Sequence, residues 1–450
     1  MKIFSPALSR LARFRYWHIE HWVNNPIAAQ REVLQDLITH GQYTQFGRKY
    51  QFANIFNIRT FKQTVPIHEY HDMKPYIDQV MEGEDSVLWN TPVKWFAKSS
   101  GTTSEKSKFI PLTEESIQDN HFQGSKDVLA LYYKAMPESD LLTGKGLIIG
   151  GSHQVHPIKE DIQYGDLSAV LLQNSPFWAG LIRTPELSIA LMDEWEAKIE
   201  SLAQSTINED VTSIAGVPTW TLVLLKRILE LTGKKSIKEV WPNFELYIHG
   251  GVSFTPYKEQ FKKIIGADCN YLEIYNASEG FFAAQDNVKE EGMLLFLEHG
   301  IFYEFMPIEE YGKEQPLTVG LNKVVVGKNY AIVISTNGGL WRYLVGDTIQ
   351  FTNIAPYRIK VSGRLKQFIN AFGEELIADN SDKAMSEACA SFGVAIREYT
   401  AAPIYMSDNT SGAHEWLIEF ENEPTDLHAF TIALDNNLKA ANSDYEAKRH

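Results

Sequence analysis

The stretch from Phe244 to Gly280, FELYIHGGVSFTPYKEQFKKIIGADCNYLEIYNASEG, decides the fold. Residues 244–248 and 271–275 have the apolar pattern of buried strands, and between them Thr255 and Pro256 are typical of a helix start. A strand, a helix and a second strand in this order predict a βαβ unit with parallel strands. The chain is therefore predicted to contain an open α/β sheet, which binds ligands beyond the carboxyl ends of its strands.

Polar and glycine residues follow each of these two strands directly. Gly250 and Gly251 come after the first strand, and Ser278 and Glu279 come after the second. Because the carboxyl ends of parallel strands open on one edge of a sheet, these four residues should meet there although they are distant in sequence.

A second polar segment, KSSGTTSEKSKFIP from Lys98 to Pro111, lies between apolar residues on both sides. This pattern predicts a turn between two strands. Its hydroxyl groups, backbone N–H groups near a glycine, and the lysines Lys106 and Lys108 suit a phosphate. Such clusters are also ordinary material for surface loops. The segment lacks the GxxxxGK[ST] pattern and opens onto a strand, so no helix dipole contributes.

Composition excludes several classes of partner. The chain has 450 residues, a formal net charge of −15, 44% hydrophobic residues and two cysteines. Such an acidic chain is not expected to bind nucleic acid or an anionic membrane surface, and an anionic substrate would need a local cationic pocket. Two cysteines argue against a disulfide framework or a cysteine zinc site. No apolar run reaches membrane-spanning length, so the cytoplasm is the expected compartment.

The fold class predicted from the whole chain is α/β. Residues 1–90 are predicted to be mostly helical, with His68 and His71 as solvated surface side chains. Further helices are predicted over residues 114–133, capped by Thr113, and over residues 186–203. Residues 281–362 have the period-two pattern of an antiparallel sheet. The predicted organisation is a large N-terminal domain, 1–362, with mixed sheets and helices, and a small α+β domain, 363–450.

Three segments in this order, KSSGTTSEKSKFIP, YNASEG and WRYLVGD, resemble the Gretchen Hagen (auxin-responsive) family of acyl-acid amido synthetases, within the adenylate-forming superfamily. GRLKQFINAFGEEL, which starts at Gly363, resembles the hinge of that superfamily, and PIHEYHDMKPYI also resembles the family. The resemblance implies an ATP- and Mg²⁺-dependent ligase. It would activate a carboxylic acid as an acyl-adenylate and then transfer the acyl group to the amine of an amino acid.

The resemblance also implies site residues. Phosphate contacts are expected from Ser99, Ser100, Gly101, Thr102, Thr103 and Lys108. Ser278 is expected beside the α-phosphate, and contacts to the rest of the nucleotide are expected from Gly250, Gly251, Tyr275, Ala277 and Asp347. Glu279 is expected to bind Mg²⁺, and Arg364 and Lys366 are expected to act at the hinge. These roles suit the chemistry, because adenylation concentrates negative charge that fixed donors and a metal stabilise.

The chain departs from the family at three points. Glu105 stands where many members have a second glycine, which concerns the loop conformation. Lys366 occupies a pivot position that is often acidic in the superfamily. Members usually continue beyond DYEAKRH, so either a truncated chain or a shortened small domain is expected.

Two alternatives stay open at this stage. An acyl-CoA ligase would share the first step and use a thiol as acceptor. A non-catalytic nucleotide-binding relative would keep the fold alone. A hydrolase is not expected, because the sequence has no GxSxG nucleophile elbow. Aromatic residues that could line an acid pocket are Phe122, Tyr132, Phe177, Trp178 and Trp220.

Overall fold

The computed structural model describes residues 5–100, 107–151, 155–159, 161–176, 179–192, 194–266, 268–365, 376–404, 413–442 and 445–446. Helices form the first part of the chain, as predicted. They are α1 (Ser5–Asn24), α2 (Pro26–Gly41), α3 (Gln45–Lys49), α4 (Ile58–Thr64) and α5 (Tyr70–Met81). Val33, Leu34 and Leu37 of α2 are buried on one face, in agreement with their helical spacing.

Strands and helices then alternate. They are β1 (Trp95–Ser100), β2 (Ser107–Leu112), α6 (Gln123–Ala135), β3 (Lys145–Ile148), β4 (His156–Lys159), β5 (Ile162–Gly165), α7 (Leu167–Gln173), α8 (Ala179–Ile182), β6 (Arg183–Thr184), α9 (Leu187–Ala190), α10 (Trp195–Thr206), β7 (Val211–Ala215), α11 (Pro218–Thr232), α12 (Ile237–Val240), β8 (Leu246–His249), α13 (Lys258–Ile265) and β9 (Asn270–Ala277). The predicted cap at Thr113 is present, since its Oγ1 accepts a hydrogen bond from the Ser116 N–H at 3.0 Å. A π-helical turn, Ser116–Phe122, leads into α6.

The prediction of one continuous helix over residues 186–203 is wrong. The structure has α9 there, followed by α10, which starts at Trp195. The Glu194 carboxylate accepts hydrogen bonds from the N–H groups of Glu196 and Ala197. A capped start of this kind begins a new helix, because the side chain satisfies N–H groups that lack a partner inside the helix.

The remaining elements are β10 (Gly280–Ala284), β11 (Met293–Leu295), β12 (Ile301–Pro307), β13 (Asn329–Thr336), β14 (Tyr343–Ile354), β15 (Tyr357–Arg364), α14 (Ala378–Phe392), β16 (Ile396–Ile404), β17 (Ala413–Phe420) and α15 (Leu427–Ala441). The strands from β10 to β15 pair antiparallel, as predicted. The predicted α/β class with a small α+β part at the C-terminal end is confirmed.

One eleven-stranded sheet, in the order β12-β13-β14-β15-β11-β10-β9-β8-β7-β3-β6, runs through the large part of the molecule. Its strands β6, β3, β7, β8 and β9 are parallel, and β10 then returns antiparallel to β9. The turn between β9 and β10 therefore lies where the parallel half of the sheet meets the antiparallel half. Glu279 is in this turn.

The C-terminal part has its own apolar core, built from α14, β16, α15 and Leu376. It contacts the large part through the segment after β8. Tyr257 Oη donates to the Arg397 carbonyl at 3.0 Å, and Gln260 Nε2 donates to the Ile396 carbonyl at 3.1 Å. In the described part of the chain, no helix is both long and apolar enough to cross a membrane.

Candidate functional site

The two strands of the βαβ unit are parallel neighbours, with His249 beside Glu273 in register. Their carboxyl ends open on one edge, as predicted from the sequence. Gly250 and Gly251 extend from β8 at this edge. A Cβ atom on Gly250 would lie 2.4 Å from the Ile274 carbonyl oxygen, and Gly251 has a φ of +85°. Glycine is required at both positions, for close approach and for backbone conformation respectively.

A large open cleft, about 2860 Å³ in volume, runs along this edge. Most of the site residues predicted from the sequence line it. They are Ser99, Lys108, Gly250, Gly251, Tyr275, Ala277, Ser278, Glu279, Asp347 and Arg364. Ser100 ends β1, and nothing is described of its side chain. Gly101, Thr102, Thr103 and Lys366 lie outside the described residues.

The hairpin of β1 and β2 brings the polar segment to the cleft. The two strands pair antiparallel with Ser99 opposite Lys108, which confirms the predicted pair of strands. Tyr70, at the start of α5, supports the hairpin, because its hydroxyl accepts the Phe109 N–H at 2.8 Å. The Lys108 ammonium lies 5.7 Å from the centre of the Tyr70 ring. The positive charge of Lys108 is thereby held at the cleft.

Asp347 is the centre of a hydrogen-bonded cluster across three strands. The Tyr275 hydroxyl donates to its Oδ2 at 2.7 Å, and Arg364 Nε lies 3.2 Å from its Oδ1. Asp347 and Arg364 are opposite each other in the β14–β15 ladder. Burial, followed by the negative charge of Asp347, raises the pKa of Tyr275, so the phenol remains a donor. The arrangement fixes a carboxylate at the cleft wall with capacity to accept further hydrogen bonds.

Glu279 is a partly buried carboxylate with incomplete charge compensation. Loss of solvation raises its pKa to about 7, the negative charge of Asp347 acts in the same direction, and Lys108 and Arg364 oppose the rise. A carboxylate in such surroundings gains from a cation nearby. The strongly shifted pKa in a cleft marks Glu279 as a candidate functional residue on physical grounds.

The two charged residues of the third segment, WRYLVGD, are Arg342 and Asp347, and they have different partners. Arg342 does not pair with Asp347. It forms a buried two-pronged ion pair with Glu304, at 2.8 and 2.9 Å, and also donates to the Val65 carbonyl at 2.6 Å. Sequence reasoning missed Glu304, because it lies 38 residues before its partner inside an apolar strand. Arg342 therefore holds the structure, and Asp347 faces the cleft.

The prediction that His68 is a solvated surface residue is wrong. His68 is 5% exposed, and its Nδ1 lies 3.0 Å from the Trp341 carbonyl oxygen. Its backbone exchanges hydrogen bonds with Arg342 and Leu344. Burial lowers the pKa of His68, as expected for an imidazole that stays neutral in a core. His71 is exposed, as predicted.

A further arm of the cleft lies next to the ends of β3 and β7. It is lined by Ile149, Gly151, Leu167, Ser168, Val217 and Trp220. Trp220 was among the predicted aromatic candidates. Tyr132 is instead buried and donates to Glu245 Oε1 at 2.6 Å, and Phe122 packs against the core. Phe177 and Trp178 lie outside the described residues. The other residues of this arm carry no signal in the sequence, because they are ordinary apolar and small residues.

Family models cover most of the chain. The GH3 family N-terminal domain matches residues 15–269, the GH3 family central domain matches residues 294–364, and the GH3 family C-terminal domain matches residues 379–450. Among curated proteins, the chain is 24% identical to "Indole-3-acetic acid-amido synthetase GH3.2" of Arabidopsis thaliana, over 88% of this chain and 84% of that protein.

Two solved structures show the extent of the fold similarity. "AtGH3.15 acyl acid amido synthetase in complex with 2,4-DB" matches with a TM-score of 0.79 and 17% identity, over 95% of this chain and 84% of that chain. A structure titled "2-Hydroxyisobutyryl-CoA Ligase (HCL) in the postadenylation state in complex with 2-HIB-AMP" matches with a TM-score of 0.60 and 12% identity, over 91% and 83%. At such identities the likeness concerns the fold, which these two kinds of ligase share.

Proposed function

Because the chain belongs to the GH3 family, we propose that it is an ATP-dependent ligase that joins a carboxylic acid to an amino acid. In the first step the acid attacks the α-phosphate of ATP, which gives an acyl-adenylate and pyrophosphate. In the second step the amine attacks the acyl carbonyl and displaces AMP. The observation that carries the proposal is the meeting of Glu279, Asp347 and the β1–β2 hairpin in one cleft.

The hairpin is the proposed phosphate site. Its hydroxyl and N–H groups would hold the oxygens of the β- and γ-phosphates, and Lys108 would supply positive charge. The residues assigned to it are Ser99, Ser100, Gly101, Thr102, Thr103 and Lys108. The Lys108 ammonium lies over the Tyr70 ring and lines the cleft, and none of the described ion pairs joins it to a carboxylate. This placement supports the role, because it keeps a positive charge at the cleft.

The adenosine is proposed to bind between the two strand ends. Gly250 and Gly251 allow the base to approach the backbone closely, and Tyr275 packs beside it with Ala277 near by. Asp347 is assigned to the ribose, since a carboxylate can accept from two neighbouring hydroxyls. Its hydrogen bonds to Tyr275 and Arg364 support the role by fixing its orientation.

Glu279 and Ser278 are assigned to the reacting phosphate. Mg²⁺ takes one or two carboxylates and completes its shell with phosphate oxygens and water, and Glu279 would supply such a carboxylate at the cleft. Loss of solvation, which raises the pKa of Glu279 to about 7, supports the assignment as well, because a metal ion nearby would favour the ionised carboxylate. When bound, Mg²⁺ would neutralise phosphate charge, and Ser278 would donate a hydrogen bond to the α-phosphate.

We place the acid in the arm lined by Ile149, Leu167, Val217 and Trp220. This arm continues the same sheet edge beyond Gly250, so a carboxylate there can reach the α-phosphate. Its apolar and aromatic lining favours an acid with an apolar body. The acid and the amino acid are the proposed small-molecule partners, and neither nucleic acid nor a membrane is expected from the acidic composition.

The proposed division of the chain is 1–362 and 363–450, with Arg364 and Lys366 at the hinge. The separate core of the C-terminal part supports a unit that can reorient between the two steps. Arg364 ends β15 and contacts Asp347, so the proposed hinge begins at the nucleotide site itself.

Exchange of labelled pyrophosphate into ATP, screened over carboxylic acids, tests the first step. Acid-dependent exchange is expected, and a product assay with amino acids and with CoA then separates an amide from a thioester. The second candidate, an acyl-CoA ligase, is favoured by its shared fold. A non-catalytic relative would bind nucleotide without exchange. Failure of saturating ATP and Mg²⁺ to raise the melting temperature would contradict nucleotide binding altogether.

A further inference from the structure

Lys198 on α10 is a fully buried lysine, with 0% of its surface exposed. Its ammonium donates to the Gly150 carbonyl at 3.1 Å and to the Gly151 carbonyl at 2.6 Å. These two glycines come one residue after the end of β3, at the sheet edge that carries the site, and Gly151 lines the cleft. A charge is thus held behind the wall of the arm in which we place the acid.

The same turn is held from its other side as well. The Gly151 N–H donates to Ser168 Oγ at 2.8 Å. A Cβ atom on Gly151 would lie 2.1 Å from Asp166 Oδ2, so no side chain fits between the turn and the start of α7. The Gly150–Gly151 backbone has little freedom to rotate, because its two carbonyls accept hydrogen bonds from Lys198 and the Gly151 N–H donates to Ser168.

We propose that Lys198 is a positioning residue for the carboxylic acid substrate, an inference that rests on the proposed function. By holding the Gly150 and Gly151 carbonyls toward the protein interior, Lys198 keeps the negative ends of two peptide dipoles away from the path of an anion. Each peptide dipole is about 3.5 D, and its oxygen end repels a carboxylate placed close to it. A carboxylate in the arm therefore meets no opposing carbonyl oxygen from Gly150 or Gly151, although the Asp166 carboxylate also lines the cleft beside this turn.

Packing alone does not require an ammonium at this position. Methionine has a similar length and would fill the same space without the cost of desolvating a charge. The ammonium binds two consecutive carbonyl oxygens, which methionine cannot do, and hydrogen bonds from a charged donor are the stronger kind. Lys198→Met should therefore free the Gly151 carbonyl to turn toward the cleft, whereas the peptide unit between Gly150 and Gly151 is still held by Ser168.

The test compares Lys198→Met with Lys62→Met, a matched control. Lys62 is a half-buried lysine that donates to the Thr318 carbonyl and lies 3.5 Å from the Glu304 carboxylate, and it does not line the cleft. In pyrophosphate exchange, Lys198→Met should raise the apparent KM for the acid at least about tenfold and leave the KM for ATP within twofold. Lys62→Met should change neither constant, even if its melting temperature falls.

Equal increases in both KM values, or an unchanged KM for the acid, would overturn the proposal. If Lys198→Met does not fold, Lys198→Gln replaces it, with the same expected direction and a smaller change. A crystal structure of the folded variant gives a readout that needs no activity, because an unmoved Gly150–Gly151 turn would contradict the role of Lys198. A wild-type protein that exchanges no pyrophosphate would instead contradict the proposed function, so the two failures are distinguishable.

Discussion

Replacement of Glu279 by glutamine should stabilise the free protein and slow its reaction. In the folded chain, burial and the charge of Asp347 raise the pKa of this carboxyl to about 7, from an ordinary value of 4.5. The difference corresponds to about 3 kcal/mol that opposes folding when the group is ionised. Glutamine keeps the size and removes the charge, so Glu279→Gln should recover much of this free energy.

The sign of the effect depends on pH. Because the pKa is higher in the folded state, the unfavourable contribution is absent below about pH 4.5, grows up to pH 7 and is complete above it. The stability gain of Glu279→Gln should therefore be larger at pH 8 than at pH 5. For a chain of 450 residues, about 3 kcal/mol corresponds to a rise of roughly 3 °C in melting temperature.

The same substitution should lower the adenylation rate about a hundredfold, because loss of one electrostatic contact to the transition state costs about 3 kcal/mol. Glu273→Gln is the matched control. Glu273 lies on β9, which leads into the turn that holds Glu279, and its pKa is also raised to about 7, first by burial and then by the charges of Asp379 and Glu291. It is six residues before Glu279, so its replacement should stabilise the protein with activity near wild type.

The measurements are melting temperature at pH 5 and pH 8, and pyrophosphate release across a Mg²⁺ titration. A Glu279→Gln protein less stable than wild type at pH 8 would refute the electrostatic argument. Unchanged turnover with an unchanged Mg²⁺ dependence would refute the assignment of Glu279 to the metal. Equal loss of activity in Glu273→Gln would show that the assay reports a general effect of charge in the cleft.

Three further predictions concern other parts of the site. Tyr275→Phe removes the hydrogen bond to Asp347 and should raise the KM for ATP about tenfold or more with little change in kcat, which initial-rate measurements would check. Arg342→Met removes the arginine from the buried Glu304 carboxylate, which keeps Lys62 at 3.5 Å, and should cost about 3 kcal/mol in urea unfolding; a loss below about 1 kcal/mol would contradict the structural role. Lys366→Pro should impair amide formation more than pyrophosphate exchange, since proline restricts the backbone at the proposed hinge, and equal loss in both steps would count against a hinge.

Local patterns explain which elements could be predicted from the sequence. The parallel pair β8 and β9, the hairpin around Ser99 and the helices of the C-terminal part each have the right apolar period and adjacent turn residues. Their signals are local, so they can be read without the fold. The predicted domain boundary at residue 363 and the individual ligand contacts stay predictions.

The features that could not be predicted depend on partners far apart in sequence. His68 could be recognised as buried only from its contact with Trp341, and Lys198 only from Gly150 and Gly151. A lysine on an amphipathic helix is normally solvated, and one sequence does not reveal the exception. Glu304 is a further example, because no local sequence pattern identifies Arg342 as the ion-pair partner of a carboxylate within an apolar strand.

Arg342 connects the stability of the fold to the geometry of the site. Its φ of +42° is in the left-handed region, which costs a non-glycine residue about 1–2 kcal/mol. The buried pair with Glu304 and the hydrogen bond to Val65 hold it there, and β14 starts at the next residue. That strand carries Asp347 to the cleft four positions later. The N-terminal helical region thus supports the nucleotide site through Arg342, although it contributes few residues to the cleft itself.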